Sequence, residues 1–425
     1  MQVLVVGSGG REHTLVWKFN NSENVDKVYC APGNAGTEIY GKNIDIDDTD
    51  VEGLLEFAQE KKIDLTVVGP EAPLLAGIVD EFEEAGLNIF GPTKAASMLE
   101  CSKVFAKKFM KDNDIPTSDF TVVETQTELE KVVHEKEFPY VIKVDGLAAG
   151  KGAFVIQDRE DLTRAINEIF EEEKFGEAAD QVLIEEFIEG EELSVFALTD
   201  GDDYVLLSPA QDHKPAYEGG KGPNTGGMGA FAPAPLGTQD ILKKAEEQVI
   251  KPTLEGMKQR GTPYKGVLYC GLMINNDEPQ VLEFNARFGD PEAQITIPLV
   301  EEGFLETVDS IARGELNQTD FKLSDEFATC VVMASGGYPI DYETGKEIKG
   351  LDELESENGM VFLAGATSKN GKLLTDGGRV LSVVNFGETL QDSIQKAYQR
   401  VETIDFEDVH YREDIGQKGL NTDKK

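Results

Sequence analysis

The first 93 residues repeat one pattern, in which an apolar run of strand length is closed by a glycine-rich or polar turn. Residues 3–6 are continuously apolar, residues 7–10 read Gly-Ser-Gly-Gly, and a helical pattern begins near Arg11. Further apolar runs of this kind lie at 27–29, 65–68 and 87–90. Such runs are typical of strands buried in a parallel sheet. Because open parallel sheets bind ligands at the carboxyl ends of their strands, these turns are candidate ligand contacts. The alternative is that each is an ordinary tight turn.

The first turn carries only part of the dinucleotide-binding fingerprint. Gly7 and Gly9 match its opening, and the start of the following helix would favour a phosphate or another anion. The complete fingerprint has a third glycine at position 12, where this chain has Glu12. A dinucleotide-dependent oxidoreductase is therefore disfavoured.

A strand-like run late in the chain, VLEFNARFGDPEAQ at 281–294, carries oxygen donors that suit magnesium. Alternate residues of a strand share a face, so Glu283 and Asn285 lie together and Phe284 faces the other way. Carboxylate and amide oxygens are ligands that Mg²⁺ accepts beside water and phosphate. Arg287 follows, with a planar fork suited to a carboxylate or phosphate. The alternative is the solvated face of an edge strand.

A second glycine-rich segment, GLAAGKG at 146–152, follows a predicted strand at 140–144. It differs from a Walker A loop, because Asp145 and Gly152 replace the first glycine and the magnesium-binding hydroxyl. We interpret it as a flexible lid over a triphosphate, with Lys143 and Lys151 supplying positive charge. The alternative is a plain hairpin turn.

Two further segments are candidate binding regions. The strand predicted at 181–188 is followed by Gly190-Glu191-Glu192. Free backbone groups there would bind the edge of an adenine ring. The alternative is that this segment is one more acidic surface run. The segment 212–235 is rich in glycine and proline, and a structureless loop of that length is usually functional or disordered. Helices are predicted at 94–112, 162–173, 240–259 and 390–401.

Charge and cysteine content restrict the partners and the compartment. The formal net charge of −40 argues against nucleic acid and anionic membranes as partners, and it favours a solvated surface suited to high salt. No run of 18 apolar residues occurs, and the N-terminus lacks the features of a signal peptide. Four widely spaced cysteines give no support to a disulfide framework or a zinc site. We therefore predict a cytoplasmic protein of two to four domains.

Taken together, these motifs resemble one family. The stretches VLVVGSGGREH, APGNAGT, GPEAPL, IKVDGLAAGKG, GPNTGGMGAFAP, EFNARFGDPE, GGRVLSVV and YREDIG occur in this order. With them the chain resembles the glycinamide ribonucleotide synthetases, which are ATP-grasp enzymes, from residue 1 to about 416. The resemblance implies an α/β chain with the ATP-grasp fold, an N-terminal Rossmann-like (pre-ATP-grasp) domain, a mobile ATP lid and a small C-terminal domain. The predicted bounds are 1–122, 123–192 (lid), 193–327 (central, metal-binding) and 328–425.

The resemblance also implies roles for individual residues. ATP phosphates would contact Lys103, Lys143, Gly146, Gly150, Lys151 and Gly152, and adenine and ribose would contact Glu185, Glu186, Phe187, Ile188 and Glu192. Glu283 and Asn285 would bind Mg²⁺ or Mn²⁺. The substrates would contact Gly9, Gly10, Arg11, Glu12, Asn34, Glu71, Asn224, Thr225, Gly226, Gly227, Arg287 and Asp290. The implied catalytic residues are Arg287, Lys143, Asp212 and Lys214.

The implied activity is ATP-dependent ligation of glycine to 5-phosphoribosylamine, through glycyl phosphate, by a monomer. The alternatives are an ATP-grasp ligase that uses a different acid or amine, and a nucleotide-binding regulator without catalysis. His13 and His213 lie beside motifs, where they either contact substrate or have structural roles. Pro215 and Asp376 depart from the family pattern, in which we expect a basic residue and asparagine, and this leaves substrate affinity open.

Overall fold

The N-terminal region is built on a five-stranded parallel sheet, as the apolar runs predict. The computed structural model describes residues 1–146, 152–316, 320–351, 353–356 and 359–424. The strands are β1 (Gln2–Gly7), β2 (Lys27–Pro32), β3 (Lys42–Asn43), β4 (Leu65–Val68) and β5 (Ile89–Phe90). Their order is β3-β2-β1-β4-β5, and all pair in parallel. The winding direction reverses between β1 and β4, which is where open α/β sheets bind ligands.

Helices cover this sheet and continue toward the lid. They are α1 (Gly10–Asn20), α2 (Thr37–Tyr40), α3 (Val51–Lys61), α4 (Glu71–Ala76), α5 (Ile78–Glu84), α6 (Lys94–Cys101) and α7 (Lys103–Asp112). The single helix predicted at 94–112 is wrong, because Ser102 is extended and divides it in two. The Ser102 hydroxyl accepts from the Phe105 N–H and donates to Asp145, so the break ties the start of α7 to the lid.

The lid has its own antiparallel sheet and core. It contains β6 (Phe120–Val123), α8 (Gln126–Val133), β7 (Tyr140–Val144), β8 (Ala153–Ile156), α9 (Arg159–Ile166) and β9 (Val182–Glu186), in strand order β6-β9-β7-β8. The helix predicted at 162–173 begins at Arg159 and ends in a π-helical turn, Asn167–Glu171. The glycine-rich segment joins two antiparallel strands, as predicted, although residues 147–151 lie outside the described residues.

The central region places the motif at 281–294, the predicted metal-binding motif, at and after the end of an edge strand. Its elements are β10 (Glu191–Thr199), β11 (Tyr204–Leu206), β12 (Gln211–Asp212), β13 (Pro215–Tyr217), β14 (Lys221–Asn224), β15 (Gly229–Ala232), α10 (Gln239–Ala245), α11 (Lys251–Gln259), β16 (Gly266–Asn275) and β17 (Glu278–Asn285). The sheet order is β11-β10-β16-β17. A π-helical turn, Glu246–Ile250, connects α10 and α11, so the helix predicted at 240–259 is confirmed.

The segment 212–235 is not structureless, which corrects the sequence-based expectation. β13 and β14 form a hairpin, while β12 and β15 join the last sheet. The remaining elements are α12 (Ala293–Thr296), β18 (Val300–Glu302), α13 (Phe304–Ala312), β19 (Lys322–Leu323), β20 (Phe327–Ala334), β21 (Glu355–Ser356), β22 (Gly359–Leu363), β23 (Ala366–Lys369), β24 (Lys372–Thr375), β25 (Arg379–Gly387) and α14 (Leu390–Val401).

The last sheet has the order β12-β15-β20-β25-β22-β21 and is shared by residues on both sides of the bound predicted at 327/328. The domain bounds themselves stay a prediction. Within the described residues, no helix combines the length and the apolar character that crossing a membrane requires.

Candidate functional site

A cleft of about 540 Å³ lies where the first sheet, the lid and the central sheet meet. The sequence-predicted residues that line it are Arg11, Glu71, Lys103, Lys143, Gly152, Glu185, Asp212, Lys214, Asn224, Thr225, Gly226, Glu283, Asn285, Arg287 and Asp290. They come from seven separate stretches of sequence, between residue 11 and residue 290. The fold therefore brings most of the proposed ATP, metal and substrate residues into one space.

A β-bulge lies in β17 beside the two predicted metal ligands, Glu283 and Asn285. Gly271 of β16 pairs with Glu283 and Leu272 pairs with Val281, so Leu282 is the extra residue. Bulges re-aim nearby side chains, and Glu283, Phe284 and Asn285 all contribute to the cleft wall. The Phe284 side chain is nonetheless buried, with an exposed fraction of 2%.

The oxygen donors on this strand are available to a cation. Among the described residues the Glu283 carboxylate has neither a hydrogen bond nor an ion pair, although Lys103 and Lys214 are close enough to interact with its charge. The Asn285 side-chain oxygen accepts only a long bond, 3.4 Å, from Arg287. An unpaired carboxylate beside an amide oxygen fits a hard divalent cation such as magnesium.

Buried Glu185 holds two lysines at the lid side of the cleft. Its Oε2 accepts from Lys143 and lies in an ion pair with Lys107, each at 3.1 Å, while Ser118 donates to it at 3.2 Å. Burial opposes the charge, but Lys143 and Lys107 outweigh it and lower the pKa of Glu185. Burial lowers the pKa of Lys107 to about 8, against the opposing effect of Glu185. The second oxygen, Oε1, is buried without a partner among the described residues and remains free to accept from a ligand.

The segment after β9 lies outside the central cleft. Glu186, Phe187 and Ile188 line a separate cavity of about 550 Å³, and Phe187 is 38% exposed. Glu192 forms an ion pair with Lys214 at 2.9 Å. Only Glu185 of the proposed adenine and ribose residues reaches the cleft directly.

Two carboxylates fix Arg287. Its Nε lies 3.1 Å from Glu71, and its Nη2 lies 3.1 Å from Glu100. Glu100 also accepts from the Ala286 N–H at 2.7 Å. Burial opposes the charge on Arg287, but Glu100 and Glu71 raise its pKa. Sequence reasoning missed Glu100, because one acidic residue in a helix carries no signal until the fold places it against Arg287.

A second polar cluster surrounds Lys214. Its ammonium lies 3.2 Å from Asp212, and these charges raise the pKa of Lys214 although burial opposes them. Nearby, the Tyr269 hydroxyl donates to Glu292 at 2.6 Å. Burial, reinforced by Asp212, raises the pKa of Glu292. Tyr269 and Glu292 were also missed from sequence.

A second cavity, of about 670 Å³, opens at the carboxyl end of the first sheet. Gly9, Asn34 and Asp290 line it, together with the segment 364–368. The Asn34 amide donates to the Ser8 carbonyl at 2.7 Å and to the Leu363 carbonyl at 2.9 Å, and thereby joins the first and last sheets. Three side chains, Asp290, Tyr338 and Arg379, line both cavities.

Comparison with known proteins agrees with this architecture. Family models of phosphoribosylglycinamide synthetase match the chain in three parts: the N domain at 1–100, the ATP-grasp (A) domain at 101–293 and the C domain at 328–418. The phosphoribosylamine–glycine ligase of Caldanaerobacter subterraneus is 45% identical over 98% of this chain and 99% of its own length. This chain belongs to the phosphoribosylglycinamide synthetase family.

Other members and more distant proteins share the fold. The human trifunctional purine biosynthetic protein adenosine-3 is 46% identical over 99% of this chain and 42% of its own length. The crystal structure of the phosphoribosylamine–glycine ligase of Thermotoga maritima has a TM-score of 0.84 at 37% identity and covers 97% of this chain and 100% of that one. The biotin carboxylase domain of Hydrogenobacter thermophilus 2-oxoglutarate carboxylase, solved with magnesium ADP, has a TM-score of 0.72 at 16% identity, covers 96% of this chain and 91% of its own, and shares the fold.

Several residues that the sequence predicts for the site line neither cavity, and their contacts are with other parts of the protein. Glu12 is buried, accepts from the Gly9 N–H and forms an ion pair with Arg11. The Gly146 carbonyl accepts from Lys103 at 3.0 Å. Gly10 is buried in α1, and Gly227 has a positive φ against Pro291. Gly150 and Lys151 lie outside the described residues.

Both motif histidines are buried, and neither lines the central cleft or the second cavity. Burial lowers the pKa of His13 and of His213 to about 3, so both are neutral at pH 7. His13 Nδ1 accepts from the Leu363 N–H at 2.8 Å. Of the two alternatives, these surroundings favour structural roles.

Proposed function

We propose that the chain ligates glycine to 5-phosphoribosylamine and converts ATP to ADP and phosphate, giving glycinamide ribonucleotide for purine biosynthesis. The observation that carries the proposal is the single cleft that gathers lysines, a free carboxylate and a fixed arginine, and that adjoins a second cavity. The names of the relatives support the same activity. We also infer a monomeric, cytoplasmic enzyme, which is in keeping with four free, buried cysteines.

We assign the ATP phosphates to Lys103, Lys143 and the 146–152 loop. Lys103 and Lys143 line the cleft beside Gly152, and positive charge there would offset the charge that develops on the transferred phosphoryl group. The unpartnered Oε1 of Glu185 supports adenine binding at this end, because it would accept from an exocyclic amino group. The remaining hinge residues, 186–188 and Glu192, do not line this cleft, so their contact with the nucleotide stays a prediction.

Glu283 and Asn285 would hold magnesium, or manganese, at the phosphates, because Glu283 is close enough to Lys103 to interact with its charge. A bound divalent ion neutralises phosphate charge and orients the triphosphate. The free state of the Glu283 carboxylate among the described residues supports this assignment. The bulge at Leu282 supports the assignment as well, because a bulge changes the direction of the side chains beside it.

Arg287 and the loop Asn224–Gly227 would bind glycine. The carboxylate oxygen of glycine attacks the γ-phosphorus, and ADP leaves with the electrons of the broken P–O bond. Arg287 is held at two positions by Glu71 and Glu100, so it is oriented before glycine arrives. Asp212 and Lys214 would orient the loop and the acyl phosphate, and water exclusion would protect that intermediate.

The second cavity would hold phosphoribosylamine against Gly9, Asn34 and Asp290. Its amine nitrogen attacks the carbonyl carbon of glycyl phosphate, the C–O bond to phosphate breaks, and the departing phosphate takes the proton released by the amine. A nucleophilic side chain is not needed in this sequence of steps.

The test is ADP release from Mg-ATP with glycine or phosphoribosylamine omitted in turn. Turnover that needs both substrates is expected. Turnover with a different acid or amine would support another ATP-grasp ligase, and nucleotide binding without any ADP release would support a regulator.

A further inference from the structure

The two cavities meet at a junction of three side chains, Asp290, Tyr338 and Arg379. Asp290 follows β17, whereas Tyr338 and Arg379 come from the C-terminal region. In the proposed reaction the acyl phosphate forms in the central cleft and the amine waits in the second cavity. The reacting nitrogen and carbon therefore have to approach each other at this junction.

Arg379 is the side chain that ties the junction together. Its Nη1 donates to the Gly226 carbonyl at 2.8 Å and to the Asp290 carbonyl at 2.7 Å, and it lies 3.2 Å from the Asp290 carboxylate. The Tyr338 hydroxyl accepts from the Gly226 N–H at 3.2 Å, so the same glycine is held from both sides. Arg379 thus connects the loop Asn224–Gly227, which we propose binds glycine, to the turn that follows β17.

The remaining donors of Arg379 are available to a substrate. All three contacts above use Nη1, and among the described residues Nη2 and Nε have no recorded hydrogen bond. A guanidinium presents five N–H donors in a fixed fork, so one side can hold protein while the other faces a ligand. The side chain is 22% exposed, which gives a ligand access to it.

We propose that Arg379 orients the amine substrate for the amide-forming step and has no part in forming the acyl phosphate. The inference rests on the proposed function. Oxygen atoms of the phosphoribosyl group would accept from Nη2 and Nε, while the Asp290 carboxylate would accept from the amine. Misplacing the nucleophile slows that step, and phosphoryl transfer in the cleft continues.

Hydroxylamine separates the two half-reactions. It is small enough to attack glycyl phosphate without being held, and it gives glycine hydroxamate in place of the amide. The experiment compares Arg379→Met with wild type: hydroxamate formation from Mg-ATP, glycine and hydroxylamine, and amide formation with phosphoribosylamine made in situ from ribose 5-phosphate and ammonia. We expect the amide rate to fall about 100-fold while the hydroxamate rate changes less than about twofold.

Arg313→Met is the matched control, because Arg313 is an exposed arginine paired with Asp309 in α13, and both rates should stay at wild-type values. Arg379→Lys keeps the charge and serves if the methionine variant is unstable; it should show the same selective loss, smaller in size. Equal losses in both half-reactions, or no loss in either, would overturn the inference. Amide formation without hydroxamate in wild type would also overturn it, because the two half-reactions would then not be separable, whereas absence of both products would overturn the proposed function.

Discussion

Among the described residues, Glu283 is the carboxylate of the cleft that has neither a hydrogen bond nor an ion pair. This makes it the most informative single residue. Glu71 and Glu100 pair with Arg287, Glu185 pairs with two lysines, and Glu192 pairs with Lys214. A carboxylate left unpaired beside these pairs is expected to have a ligand in the working enzyme.

Replacing Glu283 with glutamine should lower kcat about 100-fold or more and leave the fold intact, since among the described residues the Glu283 carboxylate makes no hydrogen bond and no ion pair. The measurements are steady-state ADP release and thermal unfolding. Glu278→Gln on the same strand is the control, because Glu278 is exposed and pairs with Lys244 away from the cleft. A near-normal rate for the Glu283 variant would remove that residue from the site.

His213 provides a second residue-scale prediction, in the pH dependence of stability. Burial lowers its pKa from 6.5 to about 3, so between these values the unfolded chain binds a proton that the folded chain does not. Stability therefore rises with pH across this window, by up to about 1.4 kcal/mol per unit for one group. His213→Gln should lose this group's share of the slope in urea unfolding measured from pH 4 to 6.5, while the share of buried His13 remains. Exposed His134→Gln should keep the slope, and an unchanged slope in His213→Gln would contradict the assignment.

At the scale of elements, the site depends on interruptions in regular structure. Ser102 divides a helix and places Lys103 at the start of α7, where its ammonium donates to Gly146 of the lid. The bulge at Leu282 shifts the register of β17, so that Glu283 pairs with Gly271. These departures from regularity aim the side chains that the sheets hold in place.

Shortening the 146–152 loop should raise KM for ATP far more than KM for phosphoribosylamine, because the loop belongs to the lid and the second cavity lies between the first and last sheets. Initial rates with each substrate varied would measure this. Deleting Gly201 and Asp202 from the β10–β11 turn, which lines neither the central cleft nor the second cavity, is a comparable change in another hairpin and should leave both KM values unchanged. Equal increases in both KM values for the lid variant would count against the lid assignment.

At the scale of the whole molecule, an acidic protein has to bind two anionic substrates. The net charge is −40, and the second cavity is lined by Glu38, Asp290 and Asp376 against Arg379 alone among charged residues. Long-range repulsion of this kind is screened by salt. Asp376, whose effect on substrate affinity the sequence leaves open, is therefore expected to weaken the binding of an anionic substrate through charge repulsion, and this is the electrostatic explanation tested next.

Raising the salt from about 0.01 M to 0.15 M, which shortens the screening length from about 30 Å to about 8 Å, should lower KM for phosphoribosylamine. Asp376→Asn should lower KM at low salt and weaken the salt dependence, whereas Asp341→Asn, an exposed change outside the cavity lining, should leave KM and its salt dependence as they are. A KM that rises with salt in wild type would refute the electrostatic explanation.

Two kinds of feature could be predicted from the sequence: those set by a local residue pattern, and those implied by the resemblance to a known family. The apolar runs predicted the strands of the first sheet, and the alternation of side chains along a strand predicted that Glu283 and Asn285 lie close together. Glu100 and Arg379 were not foreseen as site residues, because each acquires a role only through a contact with residues far away in sequence. The strands in 212–235 were missed because glycine and proline hide strand periodicity, and β12 and β15 gain their partners only from the last sheet.

Glu283 and Asn285 are proposed above to hold the divalent cation that accompanies the nucleotide. The most direct measurement is the anomalous X-ray signal of manganese in crystals grown with Mn²⁺ and a non-hydrolysable ATP analogue. A peak between the analogue's phosphates and these two side chains is the expected result. A peak elsewhere, with both side chains uninvolved, would contradict it.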